Sequence, residues 1–170
     1  MWEYRGQKRP DFALVPMAGQ ESVWDYPRPP RIVPSGRRVE VKSGGRLIAS
    51  TGAAMRILET ASPPTVYIPR ADIDLTLLVR LPRNSFCEWK GTAAYWALAG
   101  DVSRRAIGWS YEQPLAQFAQ IAGALSFYPS LVECTIDGER VRPQPGGFYG
   151  GWVTDEIVGP FKGGPGTGHW

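Results

Sequence analysis

A mostly β domain with one short helix is the fold class this sequence predicts, and three observations carry it. Short segments alternate apolar and polar side chains at period two. Gly, Pro and Asp punctuate them as turn residues, and a single stretch, Pro114 to Ala124, approaches helical spacing. The 170 residues suffice for one domain with extensions, whose core needs neither disulfide nor metal.

Residues 1–36 form an arm rich in proline (Pro10, Pro16, Pro27, Pro29, Pro30, Pro34), which keeps it extended or irregular rather than helical. Trp2, Phe12, Trp24 and Tyr26 make it too apolar to stay free. Docking onto the core, or onto a second subunit in a homo-oligomer held by arm and tail, is therefore expected.

The β domain spans residues 37–137. Val39–Lys42 and Arg46–Ala49 flank Ser43-Gly44-Gly45 as a hairpin. Met55–Glu59 reads as a third strand with Met55, Ile57 and Glu59 on one face. A carboxylate on that face needs a partner, and Arg56 or Arg70 can supply it. The Pro63-Pro64 pair reads as a break, Val66–Pro69 as a short strand and Arg70–Ile73 as a turn capped by Asp72. Asp74–Leu81 has Leu75, Leu77, Val79 and Leu81 at period two, as in a strand buried on one face, and Pro82–Ser85 reads as a loop.

Phe86–Trp96 and Ala106–Tyr111 form a paired hairpin with an unusual density of rings. Thr92, Ala94, Trp96 and Leu98 share one face, Ala93, Tyr95 and Ala97 the other, and Ile107, Trp109 and Tyr111 share a side of the second strand. Leu115, Phe118, Ile121 and Ala122 then mark the single helix, about three turns long. Val132, Cys134 and Ile136 mark a last strand, and Asp137-Gly138 a turn. Residues 138–170 are a tail of Gly and Pro with Phe148, Tyr149, Trp152, Phe161 and Trp170. The tail reads as a flexible connector unless those rings dock.

Composition narrows the chemistry. His169 is the single histidine and Cys87 and Cys134 are far apart, so neither a zinc site nor a histidine-based triad can be assembled; no cofactor or metal is expected. The net charge of +3 resides in residues 1–38, with seven basic and four acidic residues, leaving the rest neutral, so nucleic acid is not the expected partner. The absence of an apolar run near 20 residues, the lack of a leader pattern and two thiols point to a cytoplasmic protein, one Cys87–Cys134 bridge in a secreted protein being the alternative.

Several motifs compete for function. Trp89, Trp96 and Trp109, with Tyr67, Tyr95 and Tyr111, can wall a pocket for a small aromatic or cationic ligand or fill a core. Glu59 and Lys90 would orient the ligand, with Cys87 at the rim. The ammonium of Lys90 would favour a Cys87 thiolate, but no histidine is placed as a base. Asp72 and Asp74 match an acid-x-acid pattern able to hold Mg²⁺ for nucleotidyl transfer, without the phosphate loop such an enzyme needs. Gly146–Gly151 can form an anion-binding nest but lacks the lysine and helix of a phosphate loop.

Glu59, Tyr67-Ile68-Pro69, Cys87-Glu88-Trp89-Lys90-Gly91, Tyr95-Trp96, Trp109-Ser110-Tyr111-Glu112-Gln113-Pro114 and Phe127-Tyr128-Pro129 closely resemble, in order and spacing, the domain of unknown function 427 of bacteria and fungi. The resemblance covers residues 37–137, and the arm and tail resemble those of a longer form of the family. It implies a β-tent fold of two small antiparallel sheets, shared with domains such as the thalidomide-binding region of cereblon. Relatives of that fold pin the sheets with zinc on four cysteines, which two cysteines cannot provide. One relative cages a ring among tryptophans, which favours a pocket. The family has also been labelled nucleotidyltransferase-like, an independent hint beside Asp72 and Asp74.

Overall fold

The alternation becomes five small sheets rather than two, in a computed structural model that describes residues 2–170. The first hairpin, Val39–Ser43 with Arg46–Thr51, extends through Glu133–Ile136 to Glu139–Arg140 as a four-stranded sheet. Both of its tight turns need positive φ at two consecutive positions. Gly44 and Gly45 supply it at one, and Asp137 and Gly138 at the other. A three-stranded sheet orders Arg31–Ser35, Ala54–Glu59 and Ser62–Tyr67. A second four-stranded sheet orders Leu125–Phe127, Gly108–Ser110, Gly91–Leu98 and Leu78–Cys87. Two two-stranded pairs join arm to tail and tail to tail: Glu21–Ser22 with Ile157–Val158 in parallel, and Arg142–Pro143 with Trp152–Val153.

Four readings change, each for a physical reason. The Pro63-Pro64 break lies inside a strand, and Pro82 lies inside the continuous strand Leu78–Cys87 rather than in a loop. Both strands are sheet edges, where a missing N–H costs no ladder bond, and Pro82 sits where the register slips between Arg80 and Asn84. Leu75–Leu77, read as strand, is a 3₁₀ turn started by Asp74, whose carboxylate accepts from the Thr76 amide at 3.1 Å. The predicted helix is a 3₁₀ segment, Ala116–Ile121, with Phe118 off helical dihedrals. Its apolar positions Leu115, Phe118 and Ile121 recur every third residue, the 3₁₀ period, and only Phe118 and Ile121 are buried.

The arm and tail are part of the packed body. Arg31–Ser35 pairs along Ala54–Glu59, so the end of the arm is a sheet strand. Trp24 is fully buried, donates from Nε1 to the Pro160 carbonyl at 3.1 Å and meets Trp170 edge-on at 5.2 Å. Trp152 is equally buried and donates to the Phe127 carbonyl at 2.9 Å, which docks the tail on the main core. These rings found a surface, so the tail is not a loose connector. Both thiols are free, which removes the alternative of a Cys87–Cys134 bridge; Cys134 is buried and burial pushes its thiol up. Among the described residues no helix is long and apolar enough to cross a membrane.

Because Trp24 has its whole surface in contact with both chain extensions and the sheet, Trp24→Ala should cost roughly 3–5 kcal/mol. Urea unfolding would read this directly; a loss below about 1 kcal/mol would mean that the arm rests on the core without contributing to it.

Candidate functional site

The strand Gly91–Leu98 pairs with Gly108–Ser110 so that Tyr95 faces Trp109 and Trp96 faces Gly108. The pleat then divides the rings: Tyr95 and Trp109 project from one face of the sheet, Trp96 from the other. Gly108 has to be glycine, since a Cβ there would lie 2.6 Å from the Ser126 carbonyl.

On the Tyr95 side lies a cleft of about 1030 Å³. One wall is that sheet, through Ala93, Tyr95 and Trp109, continued by Tyr111. The other is the three-stranded sheet, through Ile57, Glu59, Thr65 and Tyr67. Trp109 Nε1 donates to Tyr67 Oη at 3.0 Å, with the rings edge-on at 6.2 Å, so the two walls are hydrogen-bonded to each other at the floor. Tyr128 lies 4.6 Å from Trp109. Behind Trp109 the tail backbone passes flat against the indole: a Cβ on Gly150 would fall 2.2 Å from a ring carbon.

Of the nine side chains singled out by sequence, eight line this cleft: Glu59, Tyr67, Cys87, Trp89, Lys90, Tyr95, Trp109 and Tyr111. Trp96 does not. It is buried in the main core, where Nε1 donates to Ser110 Oγ at 2.9 Å and the Arg70 guanidinium lies 5.1 Å from its ring. Ser110 in turn donates to Glu112 at 2.6 Å, and Arg70 closes the network on Glu112 at 3.0 Å. The partner of Glu59 is neither Arg56 nor Arg70, which bond Glu21 and Glu112, but Arg28 of the arm, at 3.3 Å. Arg28 is buried and also donates to the carbonyls of Tyr4 and Thr60 at 2.9 and 2.8 Å. Burial pulls its guanidinium below the ordinary value, and Glu59 works against that.

Sequence reading missed the walls supplied by the two extensions. Trp2, Gly147, Phe148, Tyr149, Gly150 and Lys162 all border the cleft. Lys162 is buried, donates to the Gly168 and Trp170 carbonyls at 3.2 and 2.9 Å, and sits 3.8 Å from the centre of the Trp2 ring. Arg28 lies 4.4 Å from the same ring, and Trp2 Nε1 donates to Glu88 at 3.2 Å. The only forward signal was the excess of rings in the arm and tail.

Electrostatically the floor is a set of un-ionised phenols. Burial pushes Tyr67 and Tyr111 far up, the latter beside Cys87, and pushes Tyr128 up to about 12. They are hydrogen-bond donors throughout the physiological range. Trp89 Nε1 is buried with no acceptor among the described residues. Lys90 Nζ stands 5.8 Å from the Tyr111 ring. Asp74 accepts from Thr76 Oγ1 at 2.5 Å and serves its own turn, whereas Asp72 does not cap the turn Arg70–Asp72, as expected, but reaches across to accept from Thr51 Oγ1 at 2.6 Å; neither borders the cleft. Among the described residues no group of three His, Cys, Asp or Glu converges as a metal site. His169 meets Glu3 at 3.4 Å, away from the cleft lining.

The Trp96 network carries a pH signature. Burial acts to raise Glu112, but the Ser110 hydroxyl and Arg70 outweigh it and hold the carboxyl below the ordinary glutamate value. A folded-state value below the unfolded one gives stability that is complete above roughly pH 5 and is lost as pH falls through the folded value. Glu112→Gln should therefore flatten the acid limb of a plot of thermal stability against pH. An acid limb as steep as that of the parent would remove Glu112 from the account.

No curated protein sequence matches the chain. A family model, however, matches residues 31–138, which include the strand Arg31–Ser35, both walls of the cleft and the Glu112 network. With well over half its length matched, the chain belongs to the family described as a domain of unknown function (DUF427).

Proposed function

We propose that this protein is a small-molecule-binding domain that holds a flat aromatic ring in the cleft between its three-stranded sheet and the Tyr95–Trp109 face of the neighbouring sheet. The observation that carries the reading is that Tyr67, Tyr95, Trp109 and Tyr111, packed together as one aromatic cluster, all border the same open space of about 1030 Å³. That volume lies at the upper end of the range for ligand sites, roughly 300–1,000 Å³. The aromatic wall is rigid, because Trp109 is fixed by Tyr67, Tyr128 and the tail backbone. Exposed Phe86 and Phe148 stand at the mouth, where large apolar side chains gain by closing over a bound ring. The β-tent resemblance, with its ring held among tryptophans, supports the same reading by analogy of fold. Two free thiols favour a reducing, cytoplasmic setting for it.

Native mass spectrometry of protein purified from its own host should show a retained small molecule. Trp109→Leu, and independently the milder Tyr95→Ala, should lose it, whereas Trp96→Phe should keep it while lowering stability. Retention unaffected by both cleft variants, or loss with Trp96→Phe alone, would contradict the proposal.

A further inference from the structure

The charges around the cleft decide between the ring chemistries it can take. A site for a cationic ring needs carboxylates free to face it. Among the described residues two acidic side chains border the cleft, and both are engaged at the end nearest the arm: Glu59 pairs with buried Arg28, and Glu88 accepts from Trp2 Nε1. Lys90, Arg83 and Arg105 also border the cleft, and among the described residues none of the three is in a salt bridge. Arg83 lies 4.8 Å from the Tyr95 ring. It is close enough to Tyr128 to oppose the rise of that phenol.

Resting on the ring-binding reading, we infer that the ligand is an aromatic anion, a flat ring bearing a carboxylate or phosphate, with the ring against Trp109 and the acidic group toward Lys90 and Arg83.

The neutral polar groups agree with the charges. Among the described residues the Tyr128 hydroxyl has no hydrogen-bond partner and, being un-ionised, it has a proton to donate. Trp89 Nε1 can only donate and has no acceptor among the described residues. Reaching it takes a shift of the turn Glu88–Lys90, whose residues are exposed or half-buried. Both groups are left to donate to whatever the cleft receives. An acidic group supplies several acceptors, and a charge-assisted bond to a cation at a half-desolvated rim is stronger than a neutral one.

The test uses four naphthalene probes that share the ring and differ in charge: 2-naphthol, 2-naphthoate, 2-naphthyl phosphate and 2-(aminomethyl)naphthalene, titrated calorimetrically into the full chain. The two anions should bind about tenfold tighter than naphthol, with the amine weakest. The anions' advantage should shrink as salt rises from about 0.05 to 0.5 M. Lys90→Gln and Arg83→Gln, both at the rim, should each lower the affinity of the anions severalfold more than that of naphthol, and so reduce that advantage; unaltered thermal unfolding would show that both variants fold. Whichever anion binds tighter names the acidic group. Naphthol or the amine binding as tightly as the anions would overturn the inference and leave the ring-binding reading standing. No probe binding at millimolar concentration would overturn both.

Discussion

Two reciprocal hydrogen bonds, Ile68 N–H to the Leu125 carbonyl at 2.8 Å and Leu125 N–H to the Ile68 carbonyl at 3.0 Å, join the three-stranded sheet to the sheet that carries Tyr95 and Trp109. Ile68 and Leu125 are wholly buried in the main core, so the seam is held by packing as well as by the backbone. Joined along this seam, the two sheets have one side to fill with core and another that leads into the cleft. The pleat completes the division. Residues one apart in Gly91–Leu98 serve opposite roles, Trp96 as core and Tyr95 as wall, and a slip of one residue in pairing would exchange them.

The mouth of the cleft depends on burying two cations. Arg28 and Lys162 are desolvated, and burial pulls both below their ordinary values. What offsets the cost is hydrogen bonding to carbonyls, the Glu59 carboxylate and the face of Trp2, which lies against both. Arm and tail are thus bound to each other and to the cleft wall by the same groups. The end of the cleft near Glu59 is internally balanced, whereas the end near Arg83 is not, and the proposed preference for an anion rests on this asymmetry.

Much of this was legible in the sequence because period two is a local property. The face shared by Met55, Ile57 and Glu59 is the one turned toward the cleft and its aromatic cluster, and the hairpin turn at Gly44-Gly45 is where its glycines demand. Period two already puts Tyr95 and Trp96 on opposite faces, so only one of them can join Trp109; which one is fixed by strand register, and that depends on backbone pairing that no local pattern encodes. The prolines at 63, 64 and 82 read as breaks because edge position is a topological fact. The Arg28 partner of Glu59 and the Gly150 contact with Trp109 are tertiary, reaching across 31 and 41 residues, and a composition of proline or glycine reads as loose chain until its rings find a surface.

The central claim is that one face of the Tyr95–Trp109 sheet receives a ligand and the other is core. The seven tryptophans report on it separately through their indole N–H signals in a proton–nitrogen correlation spectrum. On titration with 2-naphthoate, Trp109 and Trp89 should shift progressively while Trp24, Trp96 and Trp152 stay in place. Shifts centred on Trp96 or Trp152, or no shift at Trp109 at saturation, would contradict the account.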